Sequence, residues 1–260
     1  MTAIRTTDYF LEVARGNVAG SSSGFIVGRN PDVGNTATET LWDQGGQYTY
    51  LTANTQLYAS STSASDTTVT LFLSGLDDSY NPMTQTVTLN GQSQAAFSSA
   101  DGFRVHTVTV TGSTSPIGDV YIAETDTLTG GVPDTATKIK AKIALSTDTI
   151  NGVIDTGTRF ASSNITHLGL YTVPLGKTMR IVRILSTSGK DDNVKLGGKV
   201  KLFGGVWLDR NPNAIYQSTS FIDFDPALSL PEKADLEFTA IAGSVNSLSQ
   251  AQAFFILDDN

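Results

Sequence analysis

Two histidines, His106 and His167, are the chain's entire supply of imidazole. Three pairs of neighbouring carboxylates stand out beside them: Asp77/Asp78, Asp191/Asp192 and Asp223/Asp225. Any hydrolytic or metal chemistry would have to start from these groups. A Ser-His-Asp relay needs a histidine, an orienting acid and a serine on a sharp strand-to-helix turn. Both histidines lie in Thr-rich strand contexts, and no G-x-S-x-G occurs. A three-histidine metal site is impossible with two histidines, and no acid stands at a spacing that would complete a mixed one. Glycoside cleavage needs two carboxylates facing each other across a sugar. Asp77/Asp78 and Asp191/Asp192 fall in loop sequence. In "FIDFDP", Asp223 and Asp225 flank Phe224 and share one strand face, which reads as the solvent face of an edge strand. A glycan hydrolase built on them would lose polysaccharide clearance when both become Asn. Calcium at Asp77/Asp78 would call for a spaced D-x-D-x-D-G pattern, which is missing. The loop reads instead as a turn whose aspartate bonds its own backbone, indifferent to chelator.

Other residue types offer binding rather than catalysis. "KIKAKI" sets Lys138, Lys140 and Lys142 on one strand face, as in a sheet edge protected by charge. The alternative is docking onto an acidic neighbour, including another copy of the chain. "GSSSG" and "LGGKVKLFGG" are glycine-rich but lack the Lys-Ser/Thr ending of a phosphate loop. Trp42 and Trp207, with Tyr48, Tyr50, Tyr58 and Tyr80, are of the kind that stacks on sugars. In a sandwich, a tryptophan beside a sheet is more often core filler. No catalytic, cofactor-binding or metal-ligating residue is assigned, and the expectation is a protein that is not an enzyme and needs no cofactor.

The elements that would hold these residues are almost all strands. "YTYLTANTQLYASS", "TTVTLFLSG", "TQTVTLNG", "FRVHTVTVTG" and "DVYIAET" alternate, or run apolar, over strand length. Phe103, Val105, Val108 and Val110 share an inward face only if a bulge sits near His106. Asn90-Gly91 predicts a hairpin turn with positive φ at both central positions. "MRIVRILST" splits Met179, Ile181, Arg183 and Leu185 from Arg180, Val182 and Ile184. One short helix is signalled in "TTDYFLEVARG", with Thr7 or Asp8 as N-cap and Gly16 as stop. Residues 1–35, rich in Gly and Ser, read as an N-terminal arm whose removal leaves a folded protein. "TDTLTGGVPDTAT" reads as a link. The expected organisation is all-β: an arm at 1–35, then antiparallel β-sandwiches of jelly-roll or Ig-like type at 36–130 and 131–260.

Composition agrees. Of 260 residues, 39% are hydrophobic and 16% charged, and cysteine is absent, which rules out disulfides and thiolate metal sites. The net charge of −8 is concentrated in residues 1–127, with four arginines, no lysine and twelve acids. Such a surface repels nucleic acid. No apolar run approaches the roughly 20 residues that span a bilayer. "MTAIRTTDYF" lacks the continuous apolar run of an export signal, so synthesis in a host cytoplasm is expected.

Four stretches in order, "GRNPDVGNTATETLWDQGGQYTYL", "LSGLDDSYNPMTQTVTLNG", "YTVPLGKTMRI" and "SLPEKADLEF", resemble virion structural proteins of tailed bacteriophages, particularly of marine phages. The resemblance covers most of the chain and brings no catalytic residues with it. It implies a non-enzymatic particle component located on the virion. The expected form is a capsid decoration or cement protein on the outer capsid surface. Its partners would be the major capsid protein or other virion proteins and itself, as a homo-oligomer, a trimer by expectation. A tail or head-fibre component that binds host glycan is the alternative.

Overall fold

Alternation of apolar residues with threonine and serine makes the strand the dominant regular element among the described residues. A computed structural model describes residues 9–145, 164–188, 193–210, 213–216, 219–244 and 247–260. A short helix, α1 (Tyr9–Ala14), precedes a long strand, β1 (Ser21–Val33). Next come β2 (Glu39–Thr40), β3 (Tyr58–Ser61), β4 (Thr70–Leu76), β5 (Pro82–Thr88), β6 (Ala95–Ala96), β7 (Arg104–Thr111) and β8 (Val120–Ala123). A small ribbon, β9 (Leu128–Thr129) and β10 (Val132–Pro133), leads to β11 (Ile139–Ile143). The remainder forms β12 (Leu170–Thr172), β13 (Lys177–Ser188), β14 (Asn193–Lys201), β15 (Trp207–Asp209) and β16 (Asn213–Tyr216). It closes with β17 (Thr219–Leu230), β18 (Asp235–Ala242) and β19 (Ser247–Asp259).

The pairings are antiparallel and give four larger sheets: β1-β19-β13-β17, β12-β18-β14-β15, β11-β8-β3-β6 and β5-β4-β7. β2 joins β18 and β16 joins β14. The arrangement is all-β and reads as four-bladed and propeller-like, not clearly as two separate sandwiches. Two apolar clusters hold it. The first takes Leu57, just before β3, with Leu71, Leu73, Val108, Ile122 and Ile143 from the sheets of residues 58–143. The second takes Ile26, Met179, Ile181, Val194, Phe238 and Phe255 from both ends of the chain. Each such side chain contributes about 1.5–3 kcal/mol relative to exposure.

Several sequence expectations are corrected by pairing. Residues 21–33 are not a free arm: β1 pairs with β19 from Ser21↔Asp258 to Val33↔Ser247, and Ile26 lies in the second core. Removing 1–35 would uncover β19 and empty part of that core, so a folded remainder is no longer expected. Residues 1–8, with Thr7 and Asp8, lie outside the described residues; Gly16, at φ 75, does end the helix. A boundary at 130/131 falls inside the β9/β10 ribbon, where Val132 pairs with Thr129. β11 then returns to β8, so residues up to 143 belong to the first core. Asn90-Gly91 makes a turn, closed by Ser93 N–H donating to Asn90 O at 3.1 Å. That bond makes Gly91 and Gln92 the central residues, of which only Gly91, at φ 59, is left-handed; Asn90 stands before them and not at a positive φ. The hairpin itself closes earlier, between β4 and β5 across Asp77–Asn81.

Two bulges set which side chains face inward. Ser74 pairs with Thr107 and Gly75 with Val105, which leaves His106 as the extra residue where the alternation required one. A second register shift, between Ile181 and Arg183, breaks the face expected for "MRIVRILST". Met179 and Ile181 point inward before it, Ile184 and Ser186 after it.

Candidate functional site

The structure uses the titratable residues picked out by sequence mainly to hold itself together. His106 stacks on Tyr171 at 4.1 Å and accepts the Thr172 N–H on Nε2 at 3.3 Å. Burial lowers its pKa to about 3, so the ring is neutral. His167 Nδ1 lies 3.0 Å from Asp43 Oδ2, and Arg29 Nε donates to Asp43 Oδ1 at 2.6 Å. That is the orienting half of a relay, with an arginine claiming the carboxylate's other oxygen. Asp77 Oδ1 accepts the N–H groups of Ser79 and Asn81 at 3.0 and 2.8 Å, which shapes the β4–β5 loop. Asp223 is tied to Arg183 through both carboxylate oxygens, and these hydrogen bonds lower its pKa. Asp223 and Asp225 are exposed on β17, an edge strand. Asp191 and Asp192 lie outside the described residues.

The three lysines do not form a charged edge. Lys140 is buried and donates to Thr49 O and Thr137 O at 3.0 and 2.8 Å, with Glu124 at 2.9 Å. Desolvation lowers its pKa against the pull of Glu124. Lys138 meets Asp126 at 3.1 Å and Lys142 meets Asp119 at 3.0 Å. Lys138 ends a 3-10 turn just before β11, which is an edge strand, and all three cations are answered by acids of their own chain. Tyr80 is likewise engaged, its ring 5.5 Å from Phe103 and 5.7 Å from Phe203.

Two surfaces remain. The first is the outer face of the β1-β19-β13-β17 sheet. Cross-strand register lines up Phe25, Phe254, Arg183 and Asp223 in one row, and Val27, Gln252, Leu185 and Phe221 in the next. Phe25, Phe254 and Phe221 are 66%, 42% and 67% exposed. Alternation puts them there: Ile26, Ala253 and Phe255 face the core, so their neighbours face out. Helix α1 sits at the far end of this sheet, where the Tyr9 hydroxyl donates to Asp258 at 3.4 Å.

The second is a cleft of about 210 Å³ between residues 38–50 and the polar face of the β12-β18-β14-β15 sheet. On β18, Leu236, Phe238 and Ala240 enter the second core, so Asp235, Glu237 and Thr239 face the first. Asp235 accepts from Arg104 Nε at 3.2 Å and from the Thr172 hydroxyl at 2.5 Å, joining the two cores. Glu237 Oε1 accepts from the Thr40 hydroxyl at 2.7 Å and Oε2 from the Tyr50 hydroxyl at 3.4 Å. Burial raises the Glu237 pKa, opposed first by the Thr40 bond and then by Lys199. Trp42, Tyr48, Tyr50 and Trp207 run as a chain of ring contacts from the core to this cleft, 5.0 to 5.7 Å apart. Trp42 is core filler; Trp207 lines the cleft. Glu237 and Lys199 were not singled out in the sequence. The available signal was "ADLEFTA", where polar and apolar residues alternate as they do in "FIDFDP".

No protein-family model matches the chain. No curated protein matches it. Among solved structures, it is similar to T=1 particles derived from Infectious Bursal Virus, at 11% identity over 92% of this chain and 70% of that one. The TM-score is 0.24, a likeness that decides neither fold nor role. Among the described residues, no helix is long and apolar enough to cross a membrane.

Proposed function

We propose that this chain is a non-enzymatic structural component of a tailed-phage virion: a decoration or cement protein on the outer capsid surface. In this reading the two cores are two β-sandwich units of jelly-roll or Ig-like type. Its partners are the major capsid protein and further copies of itself, in a trimer. The observation that carries the reading is the outer face of the β1-β19-β13-β17 sheet, with Phe25, Phe254 and Phe221 exposed in adjacent rows. Exposed aromatics on neighbouring rows of one sheet face are a surface that gains by burial against another protein. The Arg183–Asp223 pair beside them is internally neutral, which leaves Asp225 on β17 as a charge that a partner would have to answer. The ordered motifs that resemble phage virion proteins support the same reading. Oligomerisation would multiply weak contacts of this kind.

The test is particle association. Phe25→Ser, Phe221→Ser and Phe254→Ser combined replace side chains outside the cores, so melting temperature and soluble yield should hold while binding to capsids drops at least about tenfold. Undiminished capsid binding by the folded triple variant would overturn the proposed surface. Copy number separates the two virion roles. A decoration protein should scale with the major capsid protein in purified virions, whereas a fibre should be scarce.

A further inference from the structure

We propose that the cleft beside Trp207 binds one hexose-type sugar residue, held by ring stacking and by a carboxylate–ammonium pair. The site uses none of the residues of the assembly surface. Its volume of about 210 Å³ is below the roughly 300–1,000 Å³ of drug-sized ligand sites, and suits a single sugar ring.

The walls have the chemistry a pyranose needs. A sugar ring presents an apolar C–H face and an equatorial belt of hydroxyls. Trp207 offers a flat apolar surface, and Tyr50 backs it at 5.7 Å with the rings tilted by 36°. That contact fixes the indole before any ligand arrives, which lowers the entropy lost on binding. Lys199 stands opposite Glu237 in cross-strand register, on the cleft side of the sheet. A carboxylate that accepts beside an ammonium that donates is matched to two adjacent hydroxyls. The Glu237 carboxylate is held in place by Thr40 and Tyr50. Gln47 and Thr239 add neutral donors and acceptors to the lining. Lys199 lies in register between Glu237 and Asp209, so acids outnumber the base there and the site favours uncharged sugars over anionic ones. Glu237 is buried, so its carboxyl group is short of solvent and gains from hydroxyl donors.

Saturation-transfer NMR on the full chain with glucose, galactose, mannose and N-acetylglucosamine tests the site. At least one should bind saturably in the millimolar range. Lys199→Met and Trp207→Ala should each weaken that sugar at least about tenfold, at unchanged fold as judged by melting. Phe25→Ser should leave sugar binding intact, so loss of capsid docking and loss of this site are read separately. Lys199 is half-buried on a strand face, so Lys199→Met decides the matter if Trp207→Ala does not fold. Absence of saturable binding by all four sugars would overturn the proposal, as would binding that Lys199→Met leaves unchanged.

Discussion

His106 carries no proton near neutrality because the protein interior withholds the water a charged imidazole needs. Unfolded, the ring titrates near 6.5; folded, near 3. A depressed folded pKa means its contribution to stability is complete above pH 6.5 and is lost as pH falls toward about 3. His106→Gln should therefore flatten the acid side of the melting-temperature profile across that window, and an unchanged slope in thermal melts would contradict the buried, neutral ring. Residue types in the sequence, with two histidines and no G-x-S-x-G, singled out no relay. They could not reveal that Asp43 is shared by Arg29 and His167, because those partners are distant in sequence. Lys140 makes the same point. Its spacing suggested an exposed charge, yet Thr49 and Glu124 reach it from elsewhere in the fold and the Thr137 carbonyl from the turn just before it.

At the scale of elements, period-two alternation made most strands legible, and it also required the irregularity at His106. Phe103 and Val105 cannot share a face with Val108 unless one residue is extra. The β4 side of that bulge is built around Gly75. A Cβ there would stand 1.9 Å from Arg104 O, with no flexible side chain to give way. Gly75→Ala should cost about 3 kcal/mol or more, measured by denaturant unfolding; a near-neutral result would mean that β4 and β7 are not apposed in this register. What the sequence hid was pairing between distant segments. The bulge at Val182 did leave a local sign that strict alternation overrode: Arg180 and Arg183, three residues apart, both face solvent. The Gly/Ser-rich stretch before Val33 looked like an arm because β1 is stabilised by β19, more than 200 positions later. For the same reason β11 was separated from β8 at a glycine pair that is only the tip of a ribbon.

At the scale of the molecule, polar and apolar faces are distributed in a way that gives each surface one task. The inner faces of the sheets supply two cores, and the polar face of β18 joins those cores through Arg104–Asp235. The outer face of the β1-β19-β13-β17 sheet keeps its aromatics in solvent. The all-β class was readable from composition and alternation. The exposed face was not, because knowing which of Phe25, Phe254 and Phe255 points outward requires the register that pairing fixes. The central claim is that this chain is part of a virion and is attached through that face. Electron cryo-microscopy of purified particles tests it most directly. The account predicts density for this fold on the outer capsid surface, repeated with the capsid lattice, with Phe25, Phe221 and Phe254 covered by a neighbouring protein. Particles without such density, or with the three phenylalanines facing solvent, would contradict it.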